Sequence, residues 1–243
     1  MEKIIVNGKE EDIPTTISEE RTTKYLQEVF YFANDATIRL GKQTGDPTEV
    51  ALLEIGLPLD KQHKEKRFNR KHENPFDSSR KMMSVAIQNE NIDKMYIKGA
   101  YEQVSSNCSQ ILIDGEIRTF SKELKTKTDK QVLSWSKNGY RILAAAIKEN
   151  TVDTSERELV FVGVAALRDP IRKEVFPAIK KCQESGIRVI MVTGDHAETA
   201  KAYARELGIT DENGTALTHH DIVNLSDSEL LGELQHCSVF ARI

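Results

Sequence analysis

With 243 residues, 39% of them hydrophobic, the chain is long enough for one large domain or two small ones with a buried core. Its 34 basic and 38 acidic side chains are interspersed and leave a net charge of -4, which excludes the concentrated basic face of a nucleic-acid binder. The longest apolar runs, Ile142 to Ile147 and Val160 to Leu167, fall well short of the ~20 residues that cross a bilayer, and the charged residues after Met1 do not read as a secretory signal.

In chain order, Asp46-Pro47-Thr48-Glu49 opens a helix: an N-cap acceptor, a proline at the first helical position and a glutamate at the third, ahead of Val50, Leu52 and Leu53. The basic stretch Lys61 to Lys71, broken by Glu65 and Asn69, reads as a solvated loop or an edge strand. Met82 to Gln88 and Lys94 to Ile97 are strand-like and joined by the turn Asn89-Glu90-Asn91. Ile111 to Ile113 and Ile117 to Phe120 flank Asp114-Gly115, a two-residue hairpin signal. Ser121 caps a helix to about Lys137, closed by Asn138-Gly139, and Tyr140 to Ile147 follows as a strand.

Near Asp169 the character changes, which places a domain boundary there. A helical stretch reaches Ser185, with Pro177 in its first turn or at a kink. The apolar strand Val189 to Val192, the triplet Thr193-Gly194-Asp195 and a helix from His196 to Leu207 closed by Gly208 follow. That order predicts a parallel sheet buried on both faces. The expected fold class is α/β: an α+β domain with an antiparallel sheet flanked by helices, then part of a parallel α/β domain. Cys108, Cys182 and Cys237 read as reduced thiols of a cytosolic setting, and His219 and His220 as loop histidines, so no metal site is expected.

At the carboxyl end of a parallel strand, helix N-termini present free N–H groups to anions, and the hydroxyl, glycine and carboxylate of Thr193, Gly194 and Asp195 suit phosphate or magnesium-linked chemistry there. Asp195 equally suits a cap for the next helix. Five ordered stretches resolve the choice by resemblance. Gly45-Asp46-Pro47-Thr48-Glu49-Val50-Ala51-Leu52 resembles the "GDPTE-A-L" segment of P-type ATPases, and Ile97-Lys98-Gly99-Ala100-Tyr101-Glu102 resembles their "KGAPE". Asp169-Pro170-Ile171-Arg172 resembles "DPPR", Val192-Thr193-Gly194-Asp195-His196 resembles "TGD" and the residue after it, and Phe240-Ala241-Arg242 matches "FAR". The first two together resemble the calcium-pump-like branch.

The resemblance implies a hinge at residues 1–6, a nucleotide-binding domain at 7–167, and at 168–243 part of the haloacid-dehalogenase-like phosphorylation domain into which it is inserted. No aspartate precedes Lys-Thr-Gly-Thr and no "GDGxNDxxAL" segment is present, so the chain reads as a fragment of a pump, monomeric by itself and placed on the cytoplasmic face of a membrane. The implied ligand is ATP with Mg2+, and the implied partners are the pump's own transmembrane and actuator domains. Weak ATP binding without hydrolysis is expected.

Carried over residue by residue, Phe76 stacks on adenine, Lys98 forms the pocket floor beside Gly99, Glu49 bonds the adenine amino group, and Arg141 and Arg80 reach the phosphates. Each has a plainer alternative from its chemistry alone: a core ring for Phe76, a snorkelling lysine, a capping-box glutamate, surface ion pairs for the arginines. Asp169, Arg172, Thr193, Gly194 and Asp195 match the lining of the phosphoryl-transfer site, with a helix cap and a surface arginine as the alternatives for the first two. Tyr101 and Ile171 stand where the family has prolines, which bears on backbone rigidity at both turns. The rival readings are a haloacid-dehalogenase-like phosphatase, for which Asp12 lacks the needed partner, and a non-catalytic module of pump ancestry.

Overall fold

Short strands separated by tight turns fill the first two thirds of the chain, and their alternating side chains bury against helices on both faces of one large sheet. The computed structural model describes residues 3–11, 16, 18–39, 42–56, 69–89, 92–149, 154–168 and 171–243. The chain divides into two compact units, Met1–Val132 with Arg141–Leu167, and Leu133–Tyr140 with Arg168–Ile243.

In the first unit the elements are β1 (Lys3–Val6), β2 (Lys9–Glu11), α1 (Arg21–Phe32), the small ribbon β3 (Thr37–Arg39) and β4 (Lys42–Thr44), and α2 (Pro47–Gly56). There follow β5 (Asn69–Asp77), β6 (Met82–Asn89), β7 (Ile92–Ala100), α3 (Tyr101–Ser106), β8 (Cys108–Ile113), β9 (Glu116–Thr119), α4 (Lys122–Lys137), whose residues from Leu133 on are counted with the second unit, β10 (Arg141–Glu149) and β11 (Leu159–Leu167). The strand order is β2-β1-β11-β10-β7-β6-β5, antiparallel throughout. β11 also takes β8 as a parallel neighbour at Leu159–Phe161, and β8 carries β9.

The expected hairpin turn at Asp114-Gly115 and both expected ends of α4 are found. Asp114 and Gly115 both have positive φ (50° and 78°), as a primed hairpin turn between β8 and β9 requires. α4 begins with the Leu124 N–H on Ser121 Oγ (3.3 Å) and ends with the Gly139 N–H on Ser136 O (3.1 Å) and the Tyr140 N–H on Trp135 O (3.2 Å), a glycine-closed terminus. Asn69, Arg70 and Lys71 lie in β5 at the sheet edge, while residues 61–68 of the basic stretch and residues 90 and 91 of the expected β6–β7 turn lie outside the described residues. Leu26, Val29 and Phe30 of α1 and Leu52 and Ile55 of α2 pack on Met83, Val85, Tyr96, Ala145 and Ile147. On the opposite face the rings of Tyr101 and Phe120 gather about Phe161, at 6.1 Å and 5.0 Å.

The second unit adds α5 (Val175–Glu184), β12 (Met191–Thr193), α6 (Ala197–Glu206), β13 (Leu217–Thr218), α7 (His219–Ile222), α8 (Asp227–His236) and β14 (Val239–Ala241). The strands form a parallel sheet, β12-β14-β13, whose Val239 and Ala241 pack on Ala200 and Ala204 of α6. Pro177 sits in the first turn of α5, where no N–H is missed.

Two expectations are corrected here. The strand expected at Val189–Val192 is Met191–Thr193, and it is not buried on both faces: Val192 is 64% exposed and Ile190 39%. Its ladder has as many rungs as the three-residue β14 supplies, and among the described residues helix α6 covers one side. His219 and His220 are not loop residues but open the one-turn helix α7, because Thr218 and Asp221 cap it reciprocally, with Thr218 N–H on Asp221 Oδ2 at 2.7 Å.

Candidate functional site

Strand register gathers the sequence-predicted residues of the first unit at one end of its sheet. Lys98 pairs with Met83 and Ala145, Gly99 with Met82 and Ala144, and Met82 with Asp77, the residue after Phe76. Arg141 opens β10 at the same end. Over that end lies the first turn of α2, with Asp46 Oδ1 accepting the Thr48 N–H (2.8 Å) and Pro47 at the first helical position. The Thr48 N–H bond is the main reason the Asp46 carboxyl is held below its usual range.

Glu49 does not complete the expected capping box. Its Oε2 instead forms an ion pair with the Lys98 ammonium and accepts the Asp35 N–H (3.4 Å). The Lys98 side chain is 4% exposed, so it is not a snorkelling surface lysine, and a buried ammonium is costly without an acceptor. Burial lowers the pKa of Lys98, with Glu49 opposing that shift. Lys98 therefore outcompetes the Asp46 N–H for this carboxylate.

Phe76 is not a core ring: it is 60% exposed, at the end of β5. Arg141 donates from Nη1 to Thr48 Oγ1 (2.7 Å), tying β10 to the start of α2, and it makes no ion pair among the described residues. Gly99 has no room for a side chain, since a Cβ would lie 2.4 Å from the Lys81 carbonyl oxygen. Arg80 points elsewhere. It pairs with Glu156 and donates to the Pro75 carbonyl (2.6 Å), and Glu156 also accepts from Ser84 Oγ (2.7 Å), on the face of β6 opposite to Met83 and Lys98.

Three supporting residues escaped the sequence reading. Asn34, 4% exposed just after α1, donates from Nδ2 to the carbonyls of Phe30 (3.0 Å) and Glu49 (2.9 Å), while its Oδ1 accepts the Ala36 N–H (2.8 Å). Arg70 donates to the carbonyls of Phe32 (3.1 Å) and Asn34 (2.8 Å) and so fixes the same corner, and Glu156 holds Arg80. Asn-Asp after an apolar run is a helix-ending signal, but nothing local tells that the amide spans to another helix. Asn34→Ala leaves buried backbone groups unpaired and is expected to lower unfolding free energy by about 2 kcal/mol, read from the shift in denaturant midpoint.

In the second unit, Thr193 closes β12, its hydroxyl donating to Asp195 Oδ2 (3.2 Å) and accepting the Asp195 N–H (3.1 Å). Asp195 does not cap α6: the N-cap is His196, and no side-chain bond caps it. Backbone bonds from Arg242 to Asp195 O (3.1 Å) and Ile243 to Thr193 O (3.3 Å) brace the turn, and a Cβ on Gly194 would meet no described atom within 4 Å. Arg172 is exposed, and Asp169 lies outside the described residues. Among the described residues no group of three or more metal-ligating side chains occurs, and no helix is long and apolar enough to cross a membrane.

Comparison with known proteins agrees with this picture. The family model described as "P-type ATPase, cytoplasmic domain N" matches residues 22–174. Calcium-transporting ATPase 1 of Bacillus cereus is 36% identical over 227 residues, 90% of this chain and 26% of that protein. Calcium-transporting ATPase 1 of Lactococcus lactis is 35% identical over 248 residues, 95% of this chain and 28% of that protein. The calcium-transporting ATPase of Bacillus subtilis is 35% identical over 208 residues, 82% of this chain and 23% of that protein. The chain spans about a quarter of the length of these relatives. The resemblance read from the ordered motifs is thereby borne out, and the chain belongs to the P-type ATPases, with their cytoplasmic domain N at residues 22–174.

Proposed function

We propose that the chain is the ATP-holding cytoplasmic portion of a calcium-transporting pump, in which the γ-phosphoryl group of ATP passes to an aspartate and the resulting acyl-phosphate drives transport. The observation that carries this reading is the gathering of exposed Phe76, the ion pair of buried Lys98 with half-buried Glu49, and Arg141 at one end of the sheet. An exposed ring offers a stacking surface for adenine, a half-buried carboxylate and a buried ammonium offer an acceptor and a donor to its polar edge, and a guanidinium faces the phosphates.

In this reading residues 7–167 are the nucleotide domain, and β1 (Lys3–Val6) beside β11 forms the paired route out of and back into the phosphorylation domain. Residues 168–243 are the haloacid-dehalogenase-like part, with Thr193, Gly194, Asp195, Asp169 and Arg172 near the transferring phosphoryl group. Magnesium arrives on the nucleotide: the donor set at Thr193 and Asp195 suits a hard cation, but it would be completed by phosphate oxygens. The remaining transmembrane and actuator domains, at the cytoplasmic face of a membrane, complete the machine. The piece itself holds ATP weakly, chiefly through adenine, and does not hydrolyse it.

Titration of the purified chain with ATP, GTP and AMP, followed by amide chemical shifts, tests this. ATP and AMP are expected to bind similarly and better than GTP. Phe76→Ala is expected to weaken ATP binding by about 1–3 kcal/mol with the unfolding midpoint unchanged, because the ring is largely exposed. Binding that survives Phe76→Ala intact, or no binding at millimolar ATP, would sink the adenine assignment.

A further inference from the structure

Away from the end of the sheet just described, a cavity of about 220 Å³ opens beside the first half of α1, lined by Arg21, Lys24, Tyr25, Glu28 and Lys94. The helical residues recur at i, i+3, i+4 and i+7 and so share one flank of α1, while Lys94 comes from β7, opposite Glu149 of β10. Lys94 and Lys98 stand on the same face of β7, four residues and thus roughly 13 Å apart.

The partners around the cavity are nearly all assigned. The Tyr25 hydroxyl donates to Glu149 and accepts from Lys94 Nζ (2.9 Å), and Lys94 and Arg21 lie 3.7 Å and 3.9 Å from Glu149. Arg21 also donates from Nη1 to the Gly115 carbonyl (2.8 Å), and the Tyr96 hydroxyl donates to Glu28 Oε2 (3.0 Å). Lys24 makes no ion pair among the described residues, and the free N–H groups of Thr22 and Thr23 at the start of α1 are taken by Glu20 (2.9 Å and 2.6 Å). Burial raises the pKa of Glu28, against the pull of Lys94 and Lys24. Three cationic side chains, the exposed Arg21, the half-buried Lys24 and the largely buried Lys94, thus face two carboxylates, Glu28 and Glu149, and an anion in the cavity would balance the excess.

We propose that this cavity binds a small free oxyanion of the phosphate class, held by the ammonium groups of Lys24 and Lys94 and the outer N–H groups of Arg21. Its contacts come from side chains alone, and it is separate from the proposed nucleotide site.

The test is a titration of the full chain with inorganic phosphate, against chloride at matched ionic strength, followed by amide chemical shifts. Saturable shifts are expected at the first two turns of α1 and at the Lys94 and Glu149 ends of β7 and β10. Lys24→Gln is expected to weaken that response about tenfold, the loss of one charge-assisted contact, with the unfolding midpoint unchanged. Phe76→Ala is expected to leave it intact, which separates the site from any phosphate held where ATP is proposed to bind. Shifts that are absent from this region, that centre on Thr48 and Arg141, or that ignore Lys24→Gln would each overturn the proposal.

Discussion

Glu49→Gln is expected to lower stability by about 3 kcal/mol at neutral pH and, in the proposed function, to abolish measurable ATP binding. The Lys98 ammonium is almost wholly buried and Glu49 is its counter-ion. Gln removes the charge and leaves the lysine to desolvation alone. The sign of the pH dependence follows from Lys98. Its folded pKa is lowered from 10.5, first by burial, so the unfolded chain holds that proton more tightly than the folded one. The resulting penalty is present at neutral pH and fades as pH rises through the window between the folded value and 10.5. Removing Glu49 deepens the depression, so the gap between variant and wild type should be widest near pH 7 and should close as the solution becomes alkaline. Chemical denaturation at a series of pH values reads this directly. A gap that is flat with pH would mean that Lys98 is not the group left stranded.

Gly99→Ala is expected to destabilise by about 3 kcal/mol or more, since its methyl group would meet main chain at Lys81 and Met82 as well as the Met82 side chain, and the main chain cannot move aside as a side chain can. A Cβ there lies 2.4 Å from the Lys81 carbonyl oxygen and 2.9 Å from the Met82 Cα. The same carbonyl accepts the Ala100 N–H (2.9 Å), so it cannot retreat without giving up a sheet bond. Met82 pairs with Gly99 and Met83 with Lys98, so the strain falls on the two rungs that aim Lys98 at Glu49. Thermal unfolding and ATP titration should therefore fail together. A well-folded Gly99→Ala with normal ATP affinity would show that the β6 turn yields more easily than its bonding implies.

Much of this was legible because the signals are local. The Asp114-Gly115 turn, the Asp46-Pro47 helix start and the Asn138-Gly139 stop each act within a few residues, and each stands where expected. Helix α1 gave no such signal at its start. Its N-cap is Glu20, an unusual residue there, its first turn holds the β-branched Thr22 and Thr23, and its apolar run Val29 to Ala33 reads as strand as readily as helix. With α1 went Asn34 and Arg70, whose bonds reach Glu49 and the end of the helix across many residues of sequence. The converse error at Val189–Val192 has the same root. An apolar run records what the chain can bury, but the partner strand decides how much of it is paired.

The position of β11 governs when this protein can fold during synthesis. It is the last strand of the first unit to be made, yet it is bonded to β1, β10 and β8 at once. Lys3 finds its partner in Ala166, so the opening strand must wait for almost the whole unit to leave the ribosome. Until then β1 with β2, and β8 with β9, are hairpins without a neighbour, marginal by themselves and with open edges. The nascent chain thus carries adhesive edges for most of its elongation, and Leu159–Leu167 is the segment whose arrival closes them.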